Sequence, residues 1–307
     1  MDLNNIQKYL LKEIADIDAP LTGAYNIRSD SMSIGRQSTK NIEIVSKEGV
    51  SGMDIFIKPD TVGETVHIPV VMTQSGLREV VYNDFFIGDN ADVTIVAGCG
   101  IDNCGAHDSQ HDGVHRFYVG KNAKIKYVEK HYGSGEGTGK RILNPVTEVY
   151  QEADSTCEME MVQIKGVDDT TRKTVAELKE GAKLVVRERL MTHGNQRAIS
   201  DYDVRLNGDG SSADVVSRGV ARDDSYQRLD LKISGNAACK GHTECDSIIM
   251  DNGKILAVPA LEANNVEASL VHEAAIGKIA GEQLIKLMTL GLTESEAEEQ
   301  IINGFLR

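Results

Sequence analysis

Tryptophan is absent from this 307-residue chain, and aromatic residues make up only 5% of it. A core so poor in rings has to rest on Val, Ile, Leu and Ala. The same shortage leaves little from which to build the aromatic platforms that polysaccharide-acting enzymes expose beside their carboxylates. Basic residues are outnumbered, 33 Lys and Arg against 47 Asp and Glu, for a net charge of −14. With no Arg-rich tract or aromatic stacking run to offset it, that balance speaks against non-specific nucleic-acid binding. No apolar run nears the ~18–20 residues of a membrane span. The opening MDLNNIQKYL lacks the basic start and apolar core of a secretion signal. Cysteines number five, an odd count without the dense spacing of a disulfide-stapled domain. These absences lead to the expectation of a cytoplasmic protein with reduced thiols, no membrane and no nucleic-acid partner.

What is present is mostly strand. Leu3, Ile6, Leu10, Ile14 and Ile17 recur at helical spacing and predict one amphipathic helix. The Gly- and Ser-rich stretch from Thr22 to Ser38 ends that character. Over most of the remaining chain, segments such as NIEIV, TVHIPVVM, DVTIVA, KIKYVEKHY, CEMEMVQI and KLVVRERLM alternate apolar and polar residues, as half-buried strands do. A polar/Gly-Ala-polar turn introduces successive strands at Ala91, Ala123, Ala153, Ala182 and Ala213, in steps of 32, 30, 29 and 31 residues. Recurrence at that period means stacked units. Each unit is long enough for one coil of a β-helix, the alternative being a β-sandwich with coincidental turns. The fold class expected is mainly β, a parallel β-helix with short N- and C-terminal helical segments. The boundaries read as a helical segment 1–40, a β-helix core 41–270 and a C-terminal helical segment 271–307.

A solenoid needs its ends covered. The N-terminal helix is a candidate for one end. At the other, Leu284, Leu287 and Met288 mark a helix that Gly291 stops. Thr293 with Glu296 then caps a second helix, along which Ala297, Ile301 and Phe305 share a face. This hairpin either covers the end or docks a partner by its apolar face.

Three stretches carry possible chemistry. AGCGIDNCGAHDSQHDGVH holds Cys99 and Cys104 with His107, His111 and His115 four residues apart. On a strand or a helix that spacing aims imidazoles to one side, although Cys-x4-Cys is not a zinc-ribbon spacing. The stretch can therefore be a metal site, a redox site or a polar corner. GSGEGTGKR, Gly133 to Arg141, fails as a phosphate-binding loop because Arg141 stands where Ser or Thr would hold magnesium; it reads as a loop between strands, so the chain has no recognisable ATP site of its own. In GHTECDSIIMD and LVHEAAIGKI, His242, Cys245, His272 and Glu273 are candidate ligands for borderline metals. The gap of 27 from Cys245 to His272 approaches one repeat, which would put them on adjacent coils about 4.8 Å apart.

The ordered segments SRGVARDDSYQRLDLKISGNA, HTECDSIIMDNGKILAVPALEANN and ASLVHEAAIGKIAGEQLIKLMTLGLTESEAEEQIINGF resemble the SufB/SufD family of iron–sulfur cluster assembly scaffolds. VGKNAKIKYVEKHYG resembles the family's earlier coils. The resemblance implies a right-handed parallel β-helix and a non-enzymatic scaffold; the chain is shorter than the usual SufB, which leads to the expectation of a minimal homodimer. It implies a SufC-type ABC ATPase as partner, docked here through Leu284, Leu287, Met288, Ile301 and Phe305, and a sulfur donor protein. It implies a transient iron–sulfur cluster at a dimer interface. Cys245 in T-E-C-D-S matches the essential cysteine segment of SufB, and His272 and Glu273 match its His-Glu pair. Cys99 falls near the SufB cysteine proposed to receive sulfur, so Cys99 and Cys104 are candidate relays and His107, His111 and His115 candidate iron holders. Val271 stands where SufB commonly has an acid. SufD lacks the cysteine of the C-D-S segment, so this chain resembles SufB in its site, with a SufD-like structural adaptor as the alternative.

Overall fold

The structure is a computed structural model and describes residues 3–17 and 22–307; within the predicted 1–40 segment, residues 1, 2 and 18–21 lie outside it. In chain order the elements begin with α1 (Asn5–Ala15), β1 (Ala24–Ser29), β2 (Met32–Gln37), β3 (Ile42–Ser46), β4 (Gly52–Ile57), β5 (Val62–Met72) and β6 (Arg78–Ile87). There follow β7 (Asp92–Asp102), β8 (Ser109–Val119), β9 (Lys124–Ser134), β10 (Arg141–Leu143), β11 (Val146–Gln151), β12 (Thr156–Lys165) and β13 (Asp169–Leu178). The chain closes with β14 (Lys183–Thr192), β15 (Arg197–Leu206), β16 (Ser212–Ala221), β17 (Tyr226–Gly235), β18 (Lys240–Ile249), β19 (Lys254–Ala263), β20 (Ser269–Gly277), α2 (Gly281–Thr289) and α3 (Glu294–Phe305).

The strands form two sheets. One runs β2-β1-β5-β7-β9-β12-β14-β16-β18-β20, the other β19-β17-β15-β13-β10-β8-β6-β4-β3. Each coil gives one strand to each sheet, and neighbours from β5 onward are parallel, giving a β-solenoid of about eight turns. Pro145, which has no amide proton to donate, divides one rung into β10 and β11, both of which pair with β8 and β13.

Alternation builds the core. Residues of one parity in every strand turn inward, so Ile95, Ile125, Met159, Val186 and Val215 stack along the axis with their neighbours in a single apolar core. The corners carry a file of small residues, and the backbone bonds from Lys124 to Ala91, Thr156 to Ala123, Lys183 to Ser155 and Ser212 to Ala182 define it. Ala91, Ala123 and Ala182 belong to this file, as expected. Ala153 and Ala213 do not; Ser155 and Ser211 take the corner, two residues along in one case and two residues back in the other. Beside it the turns hold Asp60, Asn90 and Asn122 at φ of 60°, 59° and 56°, a conformation that Asx side chains tolerate. The Asn90 amide donates to Asp60 at 3.0 Å and the Asn122 amide to Asn90 at 3.2 Å.

The ends are closed differently from expectation. At the N-terminal end antiparallel β2 and β3 flank β1 and β4. Helix α1 instead lies on the outer face of β5, β7 and β9. It is capped by Asn4 and buries Leu10, Leu11 and Ile14. A Cβ at Gly98 would lie 2.6 Å from the Ile14 carbonyl oxygen, so the helix comes this close only over glycine. Gly98→Val is expected to lift α1 and lower stability by about 1–3 kcal/mol. A urea titration combined with limited proteolysis checks this through a lower midpoint and new cleavage within residues 5–15.

At the C-terminal end β19 and β20 each pair on one side only, and Leu256, Leu261, Val271 and Ile276 are exposed there. The helices do not cover them. Helix α3 turns back to the outer side of β16, where Arg218 donates to the Phe305 carbonyl and faces its ring at 5.9 Å. The α3 residues buried are Ala297 and Ile302 rather than Ile301.

Candidate functional site

The strand segment KIKYVEKHY departs from a simple core strand. Ile125 and Tyr127 face inward, and the same parity then brings Glu129 and His131 inside. In KLVVRERLM the inward set is Leu184, Val186, Glu188 and Leu190, and on β13 it includes Thr170, Arg172 and Thr174. Charged groups thus occupy positions that the alternation reserves for apolar ones.

Register brings these groups together. Cys99 on β7 pairs with His131 on β9, which pairs with Gln163 on β12. From the opposite sheet β8 sends in His111 and His115, and Glu79 on β6 lies beside His111. The His111 and His131 imidazoles both lie beside the Cys99 thiol. His111 Nδ1 lies 2.9 Å from Glu79, which also takes a bond from Arg28 at 3.1 Å. His131 Nε2 lies 3.6 Å from Glu129, and Arg172 donates to Glu129. Arg172 also faces Glu188 at 3.6 Å, and Ser200 and Ser217 both donate to Glu188 at 2.7 Å. Ser217 pairs in register with Cys245. A file of buried polar side chains therefore runs from Cys99 through His131, Glu129, Arg172, Glu188 and Ser217 to Cys245. Five rungs separate the two cysteines, roughly 24 Å at the usual strand spacing.

The two thiols differ in kind. Burial raises the Cys99 thiol, but the neighbouring charge and hydrogen bonds of His111 and His131 outweigh it and bring the pKa to about 7. Burial lowers His111, and the Cys99 thiolate and Glu79 outweigh that and raise it to about 10. His131 is raised to about 9 against burial, chiefly by Glu129. At neutral pH Cys99 is therefore about half thiolate, held between imidazolium groups. His115, buried beside Tyr127 at 2.7 Å, is pushed down by burial to about 4 and stays neutral. Cys245 is pushed up to about 12 by burial, then by Glu188, Asp246 and Glu244, and is a thiol until a cation or a sulfur partner changes its surroundings.

A pH profile follows. Mixed-disulfide formation between Cys99 and a small neutral thiosulfonate, with sulfinate as the leaving group, is expected to rise with pH to a half-maximum near 7. In His111→Gln that midpoint moves up by roughly 1–3 pH units, because the stabilising positive charge is gone. Peptide mass spectrometry across pH 5–10 reads both. His111, whose folded pKa of about 10 exceeds its ordinary 6.5, stabilises the fold fully below its unfolded value, and that contribution is lost as pH rises through about 10.

The predicted residues fall into three groups. Cys99, His111 and His115 meet in the interior. His107 lies in the loop before β8 and is exposed, as is Cys104, whose thiol bonds to Asp102 at 3.3 Å. Cys245 and His272 both face inward but not rung on rung: the local repeat is 29, pairing Thr243 with His272 and Cys245 with Ala274. They are diagonal neighbours, roughly 8 Å apart along and across the strands. His272 Nδ1 bonds to Thr243 at 2.6 Å, and its Nε2 is buried without a partner. Glu273 has the opposite parity and faces outward beside Glu244. Glu79, Glu129, His131, Arg172 and Glu188 were not singled out from sequence; the signal was their inward phase. Leu284 and Leu287 are half-buried and Met288 exposed on α2.

A family model described as SUF system FeS cluster assembly, SufBD core domain, matches residues 74–305. The chain belongs to the SufBD family. A SufBD family protein named for iron–sulfur cluster assembly in Pyrococcus horikoshii is 29% identical over 99% of this chain and 95% of its own length. One in Methanothermobacter thermautotrophicus is 31% identical over 75% of this chain. The matched part is 56% of that relative's length. One in Methanocaldococcus jannaschii is 27% identical over 78% of this chain and 76% of its own. The solenoid from β6 onward thus lies within the match to the SufBD core, and so does the buried file from Cys99 to Cys245. Among the described residues no helix is long and apolar enough to cross a membrane.

Proposed function

We propose that the chain is a scaffold, not an enzyme, on which an iron–sulfur cluster is put together as cargo and passed on. One observation carries this reading: a buried cysteine beside two imidazoles and a second buried cysteine stand at the two ends of one continuous polar file. Cys99 attacks the sulfane sulfur of a donor protein's persulfide. A new S–S bond forms on Cys99 as the donor's breaks, and the donor leaves as a thiolate. The Cys245 thiolate then attacks the outer sulfur of the Cys99 persulfide once the coils rearrange to bring the two cysteines together. The S–S bond on Cys99 breaks as one forms on Cys245, and Cys99 leaves as a thiolate. There the Cys245 thiol and the free Nε2 of His272 face the open end of the solenoid, with Glu273 on the same strand. A second copy pairs across the uncovered β19 and β20, and the mixed thiolate–imidazole donors hold the cluster less tightly than four thiolates, as release requires. A SufC-type ATPase docks on α2 and α3, where Ile285, Met288 and Leu290 are exposed. Five unpaired thiols suit work in the cytoplasm. Anaerobic reconstitution with iron and sulfide tests the reading. Cys245→Ala is expected to lose the visible cluster absorbance; an unchanged spectrum rejects Cys245 as ligand.

One observation favours a second reading, the SufD-like adaptor that binds the ATPase and holds no cluster. Within one chain Glu273 faces away from Cys245 and His272. Equal iron content in the wild type and a Cys245/His272/Glu273 triple variant, with ATPase binding intact, decides for the adaptor.

A further inference from the structure

The outer face of the last two coils carries a second set of ligands that the buried file does not use. His242 and Glu244 on β18 have the outward parity, and Glu273 on β20 pairs in register with Glu244. One ligand atom from each of the three lies within 4.8 Å of the other two. Behind them, His242 Nδ1 lies 2.8 Å from an Asp214 oxygen, and Asp214 is itself held by Arg187. A carboxylate only accepts, so Nδ1 carries the proton and Nε2 is the nitrogen left to bind a metal. Such an imidazole backed by a carboxylate is the usual outer support of a metal ligand.

We propose that His242 Nε2, Glu244 and Glu273 bind one divalent transition-metal ion on the outside of the solenoid, separated from Cys245 by the thickness of the sheet. Glu244 and Cys245 are consecutive, so their side chains leave the strand on opposite sides. The two cannot hold one ion together in this arrangement. One imidazole and two carboxylates suit a borderline divalent ion and leave coordination positions open. Small side-chain rotations close the spread of donor atoms to the ~2.0–2.2 Å metal–ligand distances required. His242 and Glu244 also line a surface cavity of about 390 Å³ with Arg187, Arg218 and Arg307. Those arginines favour an ion that carries an anionic ligand in its open positions. That the ion is ferrous iron rests on the scaffold reading above; the site itself does not. Iron then waits outside while sulfur arrives inside, and the two components meet only when the terminal coils rearrange.

Cobalt(II) is the probe, titrated anaerobically into the full-length protein. The expected result is one Co2+ per chain with weak d–d absorption and no thiolate-to-metal charge-transfer band. Cys245→Ser binds it as the wild type does. Glu244→Gln abolishes the binding, and Asp214→Asn weakens it by about 10–100-fold. Circular dichroism shows that Glu244→Gln, a part-exposed substitution, remains folded. A charge-transfer band, loss of binding in Cys245→Ser, or wild-type affinity in Glu244→Gln overturns the proposal. Failure of the scaffold reading shows separately, as no visible cluster absorbance in the wild type after anaerobic reconstitution with iron and sulfide.

Discussion

Arg172→Met is expected to destabilise the protein by about 3–5 kcal/mol, the largest effect of any single substitution considered. Arg172 is buried with Glu129 and Glu188 on either side, and both carboxylates are buried as well. Burial alone would raise Glu129; the charge of Arg172, then that of His131, holds it well below the usual carboxylate range. Without the guanidinium, two anions remain in the interior with only serine hydroxyls, a tyrosine hydroxyl and His131 to face them. The cost is that of leaving charge uncompensated rather than of losing one favourable pair. The same logic predicts rescue. A triple variant with Glu129→Gln, Arg172→Met and Glu188→Gln removes all three charges and is expected to recover most of the loss. Urea midpoints of the two variants measure this. Equal destabilisation in both would show that packing of the arginine, not its charge, matters.

Cys99→Ser is expected to abolish cluster formation fed by a donor persulfide while leaving formation from inorganic sulfide nearly intact. Serine keeps the size of the side chain but removes the nucleophile. Free sulfide reaches the open end of the solenoid without passing Cys99. Cys245→Ser is expected to fail on both sulfur sources. The contrast between the two variants separates entry of sulfur from holding of the cluster. Visible absorbance and acid-labile sulfide, read after anaerobic incubation with iron and either source, the persulfide arm also given a two-electron reductant to bring its sulfur to sulfide, check it. Cys104→Ser serves as the surface control and is expected to behave as the wild type.

Much of the solenoid was legible because its period is long and its strands alternate. What failed was phase. Alanine marked the corner at Ala91 and Ala123, yet the next corner is Ser155, because a turn accepts any small residue there and the coil length itself shortens after β12. The same slip explains Cys245 and His272. A gap of 27 pointed to adjacent coils, and the coils are adjacent, but the local repeat of 29 makes the pair diagonal. Even spacing correctly put His111 and His115 on one side and failed for His107, which precedes the strand. The interior file was the larger omission. Glu129, His131, Arg172 and Glu188 look like surface residues of ordinary alternating strands unless each is counted against the parity of its apolar neighbours. The outward pairing of Glu244 with Glu273 was invisible for a different reason: only the register of β18 with β20 joins them.

The central claim is that sulfur enters at Cys99 and reaches Cys245 through the interior. The direct measurement follows a labelled sulfane sulfur, supplied as a donor persulfide, by peptide mass spectrometry at successive times. In the wild type the label is predicted to appear first on Cys99 and then on Cys245; in Cys245→Ser it stays on Cys99, and in Cys99→Ser it reaches neither. Label on Cys245 of the Cys99→Ser variant, at the wild-type rate, would contradict the account.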